Sequence, residues 1–162
     1  MPAAGVSPLR TFWNNEMRTC LFEVPGTPVA QPRPKVAVRG KNAMAYVPKE
    51  HAIHTYRNSI MAGFLGLNPV YRRQFTGPVS VGITFWFPRP QAMQWKTKPM
   101  LPVPKTTRPD IDNLSKSVLD ALEGYAYDHD AQVVELRAVK WFVQGGGVPR
   151  TGICISEVEV PK

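Results

Sequence analysis

Cysteine is almost missing from this sequence of 162 residues: Cys20 and Cys154 stand far apart and outside any C-x-x-C spacing. That excludes a disulfide framework and a thiolate zinc site, and it points to a reducing compartment, the cytoplasm of a bacterial or phage-infected cell. Long apolar runs are lacking as well. None approaches the roughly 20 residues of a membrane span, and MPAAGVSPLRTFWNNEMR at the N-terminus has no signal-peptide core, so no membrane partner is expected. No internal repeat is found either, which leaves one compact domain.

Anions are scarce through the middle of the chain. From residue 33 to 108, thirteen Lys and Arg face one carboxylate, Glu50, and the whole chain carries a formal charge of +8. A cationic block of this kind is the usual footprint of a polyanion-binding surface, most often nucleic acid, although solubility alone also favours charge. The carboxylates are concentrated just downstream. Within residues 109 to 130, Asp110, Asp112, Asp120, Glu123, Asp128 and Asp130 surround the single cation Lys116. Solubility does not require carboxylates to be gathered beside a cationic field, whereas metal-assisted phosphate chemistry needs both.

Patterning predicts an α+β domain, a small mixed sheet flanked by about two helices. Residues 1–18 show no periodicity and read as a flexible extension; residues 19–162 hold the domain. CLFEVPG reads as a strand, and the basic, proline-rich TPVAQPRPKVAVRGKNAMAYVP as a loop carrying a hairpin. KEHAIHTYRNSIMAGFL has helical period, and PVSVGITFWFP alternates as a strand with one buried face does. The prolines of residues 88–109 forbid a regular helix. A second helix is expected from Asp112 to Gly124, with Leu114, Val118, Ala121 and Leu122 on its apolar face and Asp112, Lys116, Asp120 and Glu123 opposite. AQVVELRAVKWF and TGICISEVEV read as two strands joined into a hairpin by QGGGVPR.

In an extended segment Asp110 and Asp112 would project together and could share one cation. Asp112 would also cap the helix, with Lys116 one turn on. Asp128 and Asp130 return toward the same edge, and spacing alone does not choose between them. Carboxylates brought together repel, and a hard oxygen-seeking divalent cation, Mg²⁺ or Mn²⁺, neutralises them. Each piece has a plainer explanation: Asp112 as an ordinary cap, Asp128 and Asp130 as turn residues, Lys116 as a solvated partner of Asp112. His51 and His54 read as surface residues, and Trp95 either packs its loop or stacks on a base.

The combination is more specific than its parts. RPDIDNLSKSVLDALEG followed by DHDAQV closely resembles the signature of the RusA family of Holliday junction resolvases, and PGTPVAQPRPK with YVPKEH resembles that family's upstream region. The resemblance runs over roughly residues 19 to 160. It implies metal-binding carboxylates at Asp110, Asp112 and Asp130 and a catalytic lysine at Lys116; His129 stands where the family's first acidic residue of the pair is found. It further implies a Mg²⁺-dependent endonuclease, with Mn²⁺ able to substitute, that nicks four-way junctions to leave 5′-phosphate ends. A homodimer is implied too, and small members are often phage-encoded. The cations expected to meet DNA are Arg33, Lys35, Arg39, Lys41, Lys96, Lys98, Lys105 and Arg108. The rival readings are a non-catalytic DNA-binding or packaging protein and a nuclease of flaps or single strands.

Overall fold

The computed structural model describes residues 18–40, 42–67, 69 and 73–160. Most of the expected extension, residues 1–17, and Lys41 lie outside the described residues, as does the side chain of Arg39. The chain order is β1 (Thr19–Pro25), β2 (Lys35–Arg39), β3 (Asn42–Tyr46), α1 (Ala52–Leu65), β4 (Val79–Phe87), β5 (Val103–Pro104), α2 (Ile111–Leu122), β6 (Val133–Phe142) and β7 (Arg150–Glu157). The architecture is α+β, as the patterning predicts. Among the described residues, no helix is long and apolar enough to cross a membrane.

Five strands form one mixed sheet in the order β1-β7-β4-β6-β5, and β2 pairs with β3 in a separate hairpin. β4 runs parallel to β6 and antiparallel to β7. A parallel pair needs a crossover, and α2 lies in the segment that supplies it. Two expectations change here. β4 is buried on both faces, Ser80, Gly82 and Thr84 as well as Val81, Ile83 and Phe85, because it is the central strand rather than a half-exposed one. β6 and β7 form no hairpin: β4 lies between them, so residues 143–149 cross over its end.

The helices pack on each other, α1 also on β1 and α2 also on β6. α1 buries Ile53, Tyr56, Ile60 and Phe64 at three- and four-residue spacing, and α2 buries Leu114, Val118, Ala121 and Leu122. These side chains share one core with Val79, Val81, Ile83 and Phe85 of β4 and Ile153 and Ile155 of β7. The histidines before and within α1 are structural. His51 Nδ1 accepts from the Ile53 amide at 3.1 Å as the N-cap, and His54 Nε2 lies 3.0 Å from the Pro48 carbonyl. At the other helix, Gly124 takes φ +78°, a left-handed conformation that glycine reaches without cost, and its amide bonds the Tyr127 carbonyl at 2.8 Å. The chain thereby turns back toward β6 with Asp128 and Asp130 on the return.

Candidate active site

The loop before α2 is strapped to β6. Pro104 pairs with Trp141, and the Lys105 amide donates to the Lys140 carbonyl at 3.0 Å. The Lys140 ammonium then donates to the carbonyls of Thr107 at 2.9 Å and Pro109 at 2.7 Å. Asp110 follows immediately as the N-cap of α2, with its carboxylate making no capping bond. Lys140 sits within a strand-like run, where sequence gives no reason to single it out.

α2 also receives the basic loop that follows β1. The Gln31 amide donates to the Asn113 carbonyl at 2.9 Å, and Ser117 Oγ donates to the Val29 carbonyl at 2.8 Å. Arg33 is thereby brought to the start of α2, where it lines a cleft of about 530 Å³ with Arg108, Asp110 and Asn113. Both arginines were expected on sequence grounds; their convergence from residues 75 positions apart is a tertiary fact.

A second cleft, of about 480 Å³, opens between α2 and β6 and is lined by Asp112, Lys116, Asp120 and Asp130 with Ile111, Leu136 and Ala138 among its apolar walls. Three of the four expected residues, Asp112, Lys116 and Asp130, therefore share one cleft, while Asp110 opens on the neighbouring one. The expected strand-like alternation of Asp110 and Asp112 does not hold. The helix begins at Ile111, so Asp112 is its second residue and Asp110, not Asp112, is the cap, two residues earlier than expected. Helical residues turn by ~100° each, which swings the two carboxylates apart.

The turn bearing Asp130 is held by Gln132. Its Oε1 accepts from the amides of Asp128 at 2.8 Å and His129 at 3.2 Å, and its Nε2 donates to the carbonyls of Phe75 at 3.1 Å and Gly77 at 3.0 Å. One side chain thus fastens the acidic turn to the chain entering β4. Asp128 is engaged elsewhere, accepting from Gln74 Nε2 at 2.8 Å, and His129 Nδ1 lies 3.5 Å from Glu123. Asp130 reaches the cleft instead. Below it, the Tyr127 phenol is buried, donates to the Leu119 carbonyl at 3.0 Å and is pushed far up in pKa, first by burial and then by the charges of Asp130, Glu123 and Asp120.

Among the described residues, the carboxylates of Asp110, Asp112 and Asp130 form no hydrogen bond or ion pair, whereas Asp120 accepts from Arg57 at 2.6 Å and lies 3.4 Å from the Lys116 ammonium. Lys116 therefore pairs toward the C-terminal end of α2, not with Asp112. Free carboxylates with no Cys or His in the lining suit a hard cation. No three His, Cys, Asp or Glu among the described residues are gathered closely enough to hold an ion by themselves. The donor set still fits Mg²⁺, which is usually held by one or two carboxylates and completed by water and substrate phosphate rather than by an all-protein cage.

The expected DNA-binding cations divide into two groups. Arg33, Lys35, Lys96, Lys98 and Arg108 are exposed, and Trp95 is exposed beside Lys96. Lys105 is buried instead. Its ammonium lies 5.0 Å from the ring centre of Phe87 and 4.9 Å from that of Phe142, and it donates to Thr107 Oγ1 at 2.6 Å. Burial, with Lys140 nearby, lowers its pKa. Arg89 is buried too, its guanidinium donating to the carbonyls of Val143 at 3.1 Å and Leu101 and so pinning the proline-rich segment.

The family model described as endodeoxyribonuclease RusA matches residues 25–156, which include both clefts. The chain is also 32% identical over 145 residues, 85% of its length and 95% of the relative's, to the uncharacterized protein YqaN of Bacillus subtilis (strain 168). With the acidic helix start, its lysine and the returning aspartate all inside the matched span, the chain belongs to the RusA family of endodeoxyribonucleases, divalent-metal-dependent enzymes that resolve branched DNA junctions.

Proposed function

We propose that the protein resolves four-way DNA junctions by Mg²⁺-dependent hydrolysis, making paired symmetric nicks as a homodimer in the cytoplasm. The observation that carries this reading is the cleft that Asp112 and Asp130, with unpaired carboxylates, line together with Lys116. Asp112 and Asp130, with Asp110 from the adjoining cleft, would hold the metal, whose chemistry is to lower the pKa of a water and to offset charge on the leaving oxygen.

The remaining roles belong to the chain itself. Lys116, 58% exposed at its side chain, is free to extend to a phosphate oxygen and oppose the charge that builds there as phosphorus adds its fifth ligand. Leu136, Ala138 and Ile111 form the apolar walls of that cleft. Arg33, Lys35, Lys96, Lys98 and Arg108, with Arg39 and Lys41 added on sequence grounds, would track the junction arms by phosphate contacts. A junction is resolved by cutting two strands related by its two-fold axis, and the described residues of one chain offer one such acidic cleft, so an isologous dimer supplies the matching pair.

The test is incubation of labelled junction, flap, duplex and single-stranded DNA with and without Mg²⁺, together with a supercoiled cruciform plasmid and light scattering at assay concentration. Junction cleavage to 5′-phosphate ends, dependent on Mg²⁺ and giving linear plasmid directly, is the expected result. Preferential cutting of flaps, or a monomer releasing only singly nicked circles, refutes the reading.

A further inference from the structure

Asp120 lines the same cleft as the free carboxylates, yet its surroundings set it apart from them. Its Oδ2 accepts from Arg57 Nη2 at 2.6 Å, and that same nitrogen donates to Gln31 Oε1 at 2.6 Å. Its other oxygen, Oδ1, faces the Lys116 ammonium at 3.4 Å. Three segments thus meet at one guanidinium nitrogen: α1, which carries Arg57, the basic loop through Gln31, and α2 through Asp120. A pair with the acidic residue four places after the lysine is the less favourable order on a helix, so local helix energetics do not account for the arrangement. The clamp from α1 does. The side chains of Arg57 and Asp120 are only 30% and 22% exposed, against 58% for Lys116. The acid is fixed and the lysine beside it is loosely held.

We infer that Asp120 is a positioning residue for Lys116: with one oxygen locked by Arg57, it confines the lysine's flexible stem to the cleft and leaves the metal to the unpaired carboxylates of Asp110, Asp112 and Asp130. This rests on the reading of Lys116 as the cation that meets the reacting phosphate. A lysine side chain has many rotamers, and restricting them before substrate arrives raises the fraction of encounters in which the ammonium is in place. The long 3.4 Å separation also matters, since a tighter pair would oppose the lysine's transfer to phosphate.

The experiment is a double-mutant cycle on junction cleavage in the full-length protein, with Asp120→Asn, Lys116→Ala and the double variant, each measured for single-turnover rate, junction affinity and Mg²⁺ midpoint. Asp120→Asn is expected to lower the rate about tenfold, with affinity and Mg²⁺ midpoint within about twofold. In the Lys116→Ala background it should cost nothing further, because it acts only through the lysine. Asp120→Glu should restore part of the rate. Additive losses, or a loss repaired by excess Mg²⁺, overturn the inference while leaving the nuclease reading intact; the second outcome makes Asp120 a metal ligand. If Lys116→Ala keeps the wild-type rate, the reading of Lys116 falls and the inference with it. Should Asp120→Asn fold poorly because Arg57 is left unpaired, Arg57→Met with Asp120→Asn removes both charges, and the same cycle applies.

Discussion

Replacing Lys140 by Met removes an ammonium while keeping the length of its stem, and the consequence can be estimated from the two hydrogen bonds it makes. A hydrogen bond from a charged donor contributes about 1.5–3 kcal/mol when sheltered, and much less where water competes. The bond to Pro109 O, at 2.7 Å, is partly buried, and that to Thr107 O, at 2.9 Å, is exposed. Taken together they hold the loop before Asp110 with about 2 kcal/mol. Both carbonyls can be rehydrated once the loop lifts, so the loss should be local rather than global. If the docked loop is needed for cleavage, the rate falls by at most about 30-fold, the factor equivalent to that energy, as the competent fraction shrinks. Single-turnover cleavage of a labelled junction measures this. Thermal unfolding run in parallel should show a shift of no more than about 2–4 °C per kcal/mol for a chain of this size. A rate within twofold of wild type would refute the strap, because Lys140 would then be irrelevant to the order around Asp110. A loss beyond about 100-fold would also refute it, since the bonds cannot supply so much and Lys140 would have to act on the reaction directly.

Further outcomes are expected from the same structure. Asp130→Asn should abolish cleavage while junction binding persists, and Asp128→Asn should cost less than about threefold, since Asp128 is tied to Gln74; comparable losses in gel-based cleavage would assign the site to both. Lys96→Gln with Lys98→Gln should weaken junction binding and flatten the log Kd against log salt slope by up to about 1.8, near 0.9 for each phosphate no longer neutralised, whereas an unchanged slope moves the DNA surface elsewhere. Stability should fall as pH rises past about 9: Cys20 and Cys154, raised by burial from 9.0, and Tyr56 and Tyr127, raised by burial from 10.0, keep protons in the fold that the unfolded chain releases. Each such group contributes up to about 1.4 kcal/mol per pH unit in that window, and Lys105, whose pKa is lowered, opposes them with the reverse sign. Urea midpoints at about pH 8 and pH 10.5 measure the balance, and a midpoint that rises with pH would contradict it.

Local chemistry is what the sequence carried by itself. Apolar residues three and four apart fixed α2, Gly124 fixed its end, and the crowding of carboxylates around Lys116 beside a cationic block marked the chain as one that handles phosphates. The RPDIDNLSK and DHDAQV segments were enough to name the family, and it was the resemblance, not spacing, that led to the expectation of Asp130 rather than Asp128 at the site. What sequence could not hold is anything that depends on which strand lies between which. The burial of both faces of β4, and the separation of β6 from β7, follow from pairing across the chain rather than from alternation within it. The same is true at the site. A two-residue difference in where α2 is capped sends Asp110 and Asp112 into different clefts, because helix and strand impose different periods on the same D-x-D. Lys105 looked like every other lysine of its basic segment until Phe87 and Phe142 closed over it, and Arg57, 63 positions from Asp120, could be matched to it only by the packing of α1 on α2. Spacing reports what neighbours in the chain can share; contacts between distant segments are decided by the core that brings them together.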